Sequence, residues 1–351
     1  MTESEENIHC NPNEVRDMPT DYDELRRRRF LELDPELKSV YEQVESRPEL
    51  EEIGVEGLRA HFRMVGHADG PLRDGVSAET IAVPGPNGDV PTRIYRPSGT
   101  RPRGVYIHTH HGGYVAMNGL DHVDGYNSNL ALEWDCIVVH PDFRVPPEHK
   151  YPAGVEDCWA VVQWAAMHID WIGGDLDRVA VGGGCTGASM AAVMAIMARD
   201  AGGPQLAAQF LYAPQLDARG DYRSRYEFAR GYGLTRASTQ WVTDQYLNDP
   251  EERWDWRVSP VLAPTLRGVA PAVMSVGEWD VLSDEARFYA NRLQDAGVPV
   301  TYIEGPSQGH SHTSWRNPAT GELTTGARAD NARIAEAMRS YIGPAAEAQH
   351  S

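Results

Sequence analysis

One cysteine stands at the centre of a glycine-rich segment, Gly183-Gly184-Cys185-Thr186-Gly187, between a strand-like run RVAVGG and a helix-like run ASMAAVMAIMARD. A strand, a sharp turn and a helix form an elbow that exposes a nucleophile, and its usual sequence is G-x-S-x-G. Small flanking residues give the strained turn room, because the helix must pack close behind it. The segment therefore predicts an elbow that carries a thiol, Cys185, where a serine usually stands.

Two other interpretations of this segment are open. A buried cysteine at the start of a helix is the purely structural one. A dinucleotide site is the second, because Gly182, Gly184 and Gly187 have the spacing G-x-G-x-x-G. Glycine runs satisfy that spacing easily, and such a site is expected early in a βαβ unit rather than in the middle of a chain. We therefore favour the elbow.

An aspartate and a histidine follow the cysteine in the order that a catalytic triad on a parallel sheet requires. Asp280 comes just after the strand-like run PAVMSVG, and His310 comes after the next one, PVTYIEG. The carboxyl ends of parallel strands meet at one edge of a sheet, so both side chains are expected beside Cys185. We predict that Cys185 attacks a carbonyl, His310 carries the proton and Asp280 orients the imidazole.

Backbone N–H donors for a developing negative charge are predicted in two turns. The run VYIHTHHGGYVAMNG places Gly112 and Gly113 after an early strand, and Thr186 directly follows the cysteine. N–H groups in such turns stabilise the oxyanion formed in acyl transfer. Gly112, Gly113 and Thr186 are therefore the predicted oxyanion hole.

Closely spaced histidines in the same run allow a different chemistry. His108, His110 and His111 could bind zinc, with Asp121 and His122 nearby. We expected His108 to point away from His110, because side chains alternate along a strand. No later segment offers an obvious set of further ligands, so we predict catalysis without a metal or another cofactor.

The composition narrows the classes of partner and compartment. The 351 residues carry a formal net charge of −19, which disfavours nucleic acid and anionic membranes. No apolar run reaches the roughly 18 residues of a membrane span, and the polar N-terminus lacks the core of a secretory signal. The four cysteines, Cys10, Cys136, Cys158 and Cys185, are scattered. We expect a cytoplasmic protein, a homodimer, that acts on a small-molecule acyl substrate.

Strand and helix patterns alternate from residue 79 onward. We predict a disordered tail over residues 1–20, N-terminal helices over 21–75 and a catalytic domain over 76–345. The predicted strands are a hairpin, ETIAVPGPNGDVPTRIYRP, and then GVYIH, CIVVH, RVAVGG, AQFLYAP, PAVMSVG and PVTYIEG; the predicted helices are 152–167, 185–200, 236–248, 283–296 and 327–342. This alternation predicts a mainly parallel sheet that is covered on both faces.

Several segments in the same order resemble the hormone-sensitive-lipase-like branch of the α/β-hydrolase esterases. DFRVPPEHKYPAGVEDCWAVVQW resembles the family's Y-R-L-A-P-E-H-x-Y-P-A-A-x-x-D, and RVSPVLAPTLRGVAPAVMSVGEWDVLSDE resembles its S-P-L-x-A-P and D-P-L-R-D-E. The resemblance covers roughly residues 75–342. It implies the α/β-hydrolase fold, with a mainly parallel eight-stranded sheet, helices on both faces and a helical cap. The cap would consist of the N-terminal helices and an insertion near 218–252.

Three positions depart from the family's motifs. The usual G-D-S-A-G-G is replaced by the segment around Cys185, and the usual H-G-G-G has an imidazole, His111, at its first glycine. Ser311 and His312 follow His310 where Gly-Phe is usual. The two other departures favour a natural cysteine over an artificial replacement of serine, and the three together indicate altered chemistry or an altered substrate.

The function that the sequence best supports is an acyl hydrolase that cleaves a carboxylic ester or a thioester through a thioester acyl-enzyme. An acyltransferase and a dehydratase or cyclase on the same scaffold stay open as alternatives. A ligand-binding relative fits less well, because a receptor needs no base. A medium-sized, partly polar acyl substrate is expected, and the residues predicted to contact it are His111, Tyr114, Tyr232, Trp241 and His312.

Overall fold

The computed structural model describes residues 22–117 and 119–344. The predicted tail over residues 1–20 lies outside the described residues. Three helices precede the sheet, in agreement with the helical pattern of that region. They are α1 (Tyr22–Glu32), α2 (Pro35–Glu45) and α3 (Leu50–Ala68), and α3 is kinked at Gly54.

Eight strands form one sheet, as expected. They are β1 (Val76–Gly85), β2 (Gly88–Pro97), β3 (Arg103–Thr109), β4 (Ile137–Pro141), β5 (Gly174–Gly184), β6 (Ala208–Tyr212), β7 (Ala272–Gly277) and β8 (Val300–Gly305). Their order is β1-β2-β4-β3-β5-β6-β7-β8. The predicted hairpin is present, with Gly85 opposite Gly88. From β4 to β8 all neighbours are parallel, so Cys185, Asp280 and His310 follow strands that end at the same edge.

Helices follow most of the parallel strands. They are α4 (Asp124–Trp134), α5 (Ala153–Met167), α6 (Ile169–Ile172), α7 (Thr186–Asp200), α8 (Ser224–Glu227), α9 (Arg236–Tyr246), α10 (Ser283–Asp295) and α11 (Thr325–Ile342). The prediction missed α4. No side chain caps its start at Val123, so the sequence carries no start signal there, although Leu130 and Trp134 are buried against the sheet.

The two faces of the sheet bury separate apolar cores. One core contains residues of α5, α7 and α10, and the other contains residues of α4 and α11. Successive residues of β3 divide between them: Val105 and Ile107 belong to the first core and Tyr106 to the second. Strands buried on both faces read as continuous apolar runs. This explains why GVYIH and CIVVH show no polar alternation, and it confirms the prediction of a doubly covered sheet.

Two helical regions lie outside these layers. Helices α1 to α3 come before the sheet, and α8 and α9 belong to the long connection between β6 and β7. Helix α9 begins at Thr235, whose side chain accepts a hydrogen bond from the Ser238 N–H, and such a cap typically contributes about 1 kcal/mol. Helix α9 contacts α3, so the two regions meet. Among the described helices, none has the length and hydropathy to cross a membrane.

Candidate active site

Cys185 forms the tip of the turn between β5 and α7. Its backbone has φ 52° and ψ −117°, a conformation that is strained for any residue with a side chain. The Cys185 N–H donates to the Tyr212 carbonyl at 2.8 Å. A Cβ atom at Gly183 or at Gly187 would collide with the carbonyl oxygen of Thr109. The glycines around Cys185 therefore permit a close approach that no other residue allows, and the thiol stays partly exposed.

The structure brings the three predicted triad side chains together. The His310 Nδ1 lies 2.9 Å from Oδ2 of Asp280, and the Cys185 side chain lies close enough to His310 to raise its pKa. Asp280 is fully buried, and its other oxygen accepts the Leu282 N–H at 2.9 Å. The imidazole therefore connects a buried carboxylate to the exposed sulfur.

The main chain around His310 is held on both sides. Its N–H donates to the Tyr232 carbonyl at 2.7 Å, and its carbonyl accepts from Nε1 of Trp315 at 2.9 Å. Burial by itself lowers the pKa of His310, but the charges of Asp280 and Cys185 and the hydrogen bonds to both outweigh it and raise that pKa to about 10. The site therefore favours a protonated imidazole beside the buried carboxylate of Asp280.

The predicted oxyanion loop lies against the elbow. Gly112 and Gly113 have φ of 110° and 62°, which suits glycine. The Tyr114 N–H donates to Oγ1 of Thr186 at 3.0 Å, which ties the loop to the elbow. In the described part of the chain the N–H groups of Gly112 and Gly113 donate to no backbone acceptor, and that of Thr186 starts a helix, where N–H groups lack partners. These donors are therefore available to an oxyanion.

Two predicted substrate contacts line this site. His111 packs its Cβ beside Gly184, and its ring meets Phe62 of α3 edge-on at 5.2 Å. Burial, together with neighbouring imidazoles that include His310, lowers the pKa of His111 to about 4, so the ring is neutral at physiological pH. Tyr114 is buried and stacks on Tyr246 of α9 at 3.8 Å. An aromatic wall and a neutral imidazole thus flank the nucleophile.

The other predicted contacts have different surroundings. Trp241 is partly buried and packs on a small apolar cluster that contains Val115. The side chains of Tyr232 and His312 are fully buried, so the prediction that they contact the substrate needs correction. Tyr232 lies in an aromatic cluster with Tyr41, Phe228 and Trp279, and His312 Nε2 lies 3.1 Å from Oγ of Ser275. Neither ring is open to a substrate, because both side chains are buried. Tyr232 was predicted as an aromatic residue of the cap and His312 as a neighbour of His310, and neither ground determines the direction of a side chain.

Three residues beside the nucleophile were not predicted. The Gln215 N–H donates to the Cys185 carbonyl at 3.3 Å. Glu285 is fully buried, accepts the Leu216 N–H at 2.8 Å and pairs with Arg225 at 2.8 Å. A signal for Glu285 was present, because the family-like segment that contains Asp280 ends at this glutamate. No pattern in the sequence indicated Gln215 or Arg225.

The histidines considered as metal ligands lie at the end of β3, directly before the predicted oxyanion loop. Our expectation that His108 and His110 point apart was wrong, because residues two apart on an extended chain share a face. Both rings approach His140, with centroids at 5.2 and 5.8 Å. His108 Nδ1 bonds Oδ1 of Asn127 at 2.7 Å, and His110 stacks on Phe143 at 4.0 Å. Over residues 22–117 and 119–344, no group of three potential ligands has the geometry to hold a metal ion.

Comparisons with known proteins agree with this architecture. Residues 106–314 match a family model described as alpha/beta hydrolase fold. Two relatives come from Mycobacterium tuberculosis (strain ATCC 25618 / H37Rv). The carboxylic ester hydrolase LipN is 37% identical over 262 residues, which are 70% of this chain and 69% of LipN. The esterase LipI is 33% identical over 302 residues, which are 83% of this chain and 92% of LipI.

Solved esterase structures are similar as well. A thermostable esterase from Pseudomonas putida ECU1011 superimposes with a TM-score of 0.80 at 27% identity, over 88% of this chain and 98% of that one. A hyperthermophilic esterase from the archaeon Pyrobaculum calidifontis gives a TM-score of 0.77 at 29% identity, with the same coverage of 88% and 98%. The sheet order, the elbow geometry and these matches agree, and the chain belongs to the α/β-hydrolase fold family.

Proposed function

We propose that this protein hydrolyses a carboxylic ester or a thioester through a thioester acyl-enzyme on Cys185. One observation carries the proposal: His310 contacts both the sulfur of Cys185 and the buried carboxylate of Asp280. Nucleophile, base and orienting acid in mutual contact form the constellation that acyl transfer requires. The names of the relatives, a carboxylic ester hydrolase and an esterase, support ester chemistry.

Acylation begins when the sulfur attacks the substrate carbonyl. His310 holds the proton that the thiol gave up, a C–S bond forms, and the carbonyl π electrons move onto oxygen. The N–H groups of Gly112, Gly113 and Thr186 stabilise that oxyanion. When the carbonyl re-forms, the bond to the leaving group breaks, and His310 transfers its proton to the departing oxygen or sulfur. The product of this half-reaction is an acyl group in thioester linkage to Cys185.

Deacylation reverses the roles of the imidazole. Neutral His310 takes a proton from a water molecule, whose oxygen attacks the thioester carbonyl. The same N–H groups hold the second oxyanion, and its collapse breaks the C–S bond. Cys185 leaves as a thiolate next to protonated His310, so the site returns to its starting state. The acid product is the former acyl group with oxygen from water.

The two helical regions outside the sheet act as a cap in this proposal. Phe62 of α3 packs on His111, and Val242 of α9 packs so closely on Gly113 that one of its methyl carbons lies 2.6 Å from the place of a Cβ there. Both contacts lie directly at the predicted oxyanion loop. The cap would therefore exclude water from the reacting carbonyl and shape the cavity for the substrate.

Intact-protein mass spectrometry during turnover of short-chain p-nitrophenyl esters tests the proposal. The wild-type protein should gain the mass of the acyl group, and peptide mapping should find it on Cys185. Cys185→Ala should show neither the adduct nor turnover, whereas Cys185→Ser should keep some hydrolysis, since serine is the usual residue at this turn. Unchanged turnover by Cys185→Ala would overturn covalent catalysis.

A further inference from the structure

A small polar pocket lies next to the candidate active site, between the segment that follows β6 and helix α9. It encloses about 30 Å³, and its walls include Gln215, Arg219, Arg225, Arg236, Thr239 and Thr243. Pockets for plain hydrocarbon groups are lined mainly by apolar side chains. This pocket therefore has the wrong lining for a hydrocarbon chain and room for one small polar group.

Helix α9 links the pocket to the reacting centre. Its buried residues Thr239, Val242, Thr243 and Tyr246 recur at intervals of three and four and form one face. On that face Val242 packs on Gly113, whereas the neighbouring Thr243 accepts a hydrogen bond from Nε2 of Gln215 at 2.9 Å. The pocket therefore begins within one helical turn of the oxyanion loop. Gln215, which lines the pocket, also donates its N–H to the Cys185 carbonyl at 3.3 Å, so the pocket and the candidate nucleophile share a neighbour.

The charges around the pocket are locally positive. Three arginine side chains face two carboxylates: Arg225 pairs with Glu285 at 2.8 Å, and Arg219 pairs with Asp217 at 2.6 Å. Arg236 forms no ion pair within the described residues; its guanidinium lies over the Tyr226 ring at 4.2 Å. The whole chain carries a net charge of −19, so the positive charge of this site is opposite in sign to that of the protein as a whole.

Two buried groups add to the preference for a polar, negatively charged occupant. Burial, with a smaller contribution from Asp217, raises the pKa of Glu285 to about 7, so part of the negative charge that faces Arg225 is lost near neutral pH. Oε1 of Gln215 is buried and accepts no hydrogen bond from the residues that the structure describes. A buried acceptor without a partner is unfavourable, and a hydroxy acid, or a carboxylate that enters with a water molecule, supplies the missing donor.

We infer that this pocket binds a carboxylate carried by the substrate, and that the enzyme acts on esters whose acyl or alcohol part ends in an acid group. The inference rests on the proposed function, because it names the substrate class of the same site. Arg236 at the rim recognises the charge, and Gln215 and the threonines of α9 supply neutral hydrogen-bonding groups below it. Either the acyl part or the alcohol part of an ester can carry an acid group, so the test must distinguish these two cases.

Two pairs of esters of matched length distinguish an acid group on the acyl part from one on the alcohol part. In the acyl pair, a p-nitrophenyl monoester of a dicarboxylic acid is compared with the same ester whose free acid is capped as an amide. In the alcohol pair, the butyrate ester of a hydroxy acid is compared with that of its amide. The measurement is the ratio of kcat/KM for acid over amide, in wild type, Arg236→Gln and Arg236→Glu. Arg223→Gln is the matched control, because Arg223 is an exposed arginine of the same connection and pairs with Glu227.

In one pair the wild-type ratio should exceed one. Arg236→Gln should lower that ratio by about fivefold, the upper range for one exposed charge contact, and Arg236→Glu should lower it further. The loss should appear in KM, because the contact is present in ground and transition states alike. Arg223→Gln should leave the ratio within about twofold. A wild-type ratio at or below one in both pairs, with the amides still hydrolysed, overturns the inference. A change of the ratio in Arg223→Gln equal to that in Arg236→Gln overturns it as well. Neither result contradicts the proposed function. If no ester is hydrolysed, both fail.

Discussion

The Nδ1 atom of His310 lies 2.9 Å from Oδ2 of Asp280, and the two residues come from loops that follow neighbouring strands, β8 and β7. The carboxylate fixes which ring nitrogen faces the sulfur of Cys185. Because Tyr232 and Trp315 hold the main chain of His310 on both sides, the orientation of the imidazole depends on both the connection between β6 and β7 and the segment after β8. Disturbing either should therefore affect proton transfer before it affects folding.

Cys185 should be the most reactive cysteine of the described chain. It is partly exposed, whereas Cys136 and Cys158 are fully buried, and burial raises the pKa of both of those thiols. Thiolate character and access control alkylation. Brief iodoacetamide treatment followed by peptide mapping should label Cys185 first, in a Cys10→Ser background that removes the cysteine outside the described residues. Labelling of Cys158 ahead of Cys185 would contradict the nucleophile assignment.

His310→Ala should abolish acylation, with a loss in rate of about 10²–10⁴-fold, the usual contribution of a general base. The matched control is His312→Gln, two residues along, because His312 contacts Ser275 rather than the sulfur and glutamine keeps a polar group at that place. The control should retain activity within about tenfold. Single-turnover acylation measures both, with circular dichroism to verify the fold. Equal losses in the two variants would show that the base is assigned to the wrong histidine.

The oxyanion loop allows a test by substitution and rescue. Gly113→Ala should lower kcat/KM by about 10²–10³-fold, as loss of an oxyanion donor does, because the added Cβ would lie 2.6 Å from Cγ1 of Val242. Removing that methyl carbon with Val242→Ala should restore part of the rate. The backbone φ of 62° still disfavours alanine, so the rescue should be incomplete. A double variant no better than Gly113→Ala would exclude the clash as the cause.

The reacting side chains were predictable because they follow strands. Cys185, Asp280 and His310 were placed by three runs that become β5, β7 and β8, and the parallel order of those strands brings their ends to one edge. The backbone topology therefore determined that these three residues lie at the same edge once the strands were recognised. The same reasoning placed Gly112 and Gly113 after β3.

The rest of the site depends on side-chain direction, which spacing does not give. Tyr232 contributes its backbone to the site and turns its ring into an aromatic cluster. His312 turns inward toward Ser275. Gln215 and Arg225 meet the elbow only through long-range packing, and neither belongs to a motif. Helix α4 was missed for a local reason, since its start has no capping side chain.

The activity should have an alkaline limit near pH 10. The pKa of His310 is raised to about 10, so the imidazole is protonated below that pH and can donate to a leaving group. Above it, His310 loses the proton that a poor leaving group requires. We therefore expect kcat/KM for an alkyl ester to fall above about pH 10. Asp280→Asn removes a charge that raises this pKa, so the limit should move to lower pH. A limit at the same pH in Asp280→Asn would contradict the assignment of the alkaline limit to His310 paired with Asp280.

Stability in acid should depend on the buried histidines at the ends of β3 and β4. Burial lowers the pKa of His108 to about 4 and that of His110 to about 3, and it lowers the pKa of His140 as well. In the unfolded chain each should titrate near 6.5. Between about pH 4 and 6.5 the unfolded chain therefore binds more protons than the folded one, and the free energy of unfolding falls as pH falls. Above about pH 6.5 these histidines do not make the free energy of unfolding depend on pH.

His140 offers the sharpest test of this dependence, because its buried ring makes no side-chain hydrogen bond within the described residues, and its polar contact is to the backbone of His108. His140→Leu removes one imidazole that must stay neutral, and an apolar group at an unsatisfied polar position costs little. The slope of unfolding free energy against pH, from urea titrations between about pH 4 and 6.5, should fall by about one proton, or about 1.4 kcal/mol per pH unit. The exposed His149→Gln should leave the slope unchanged. If both variants give the wild-type slope, the buried histidines do not control acid stability and the loss must come from other titrating groups.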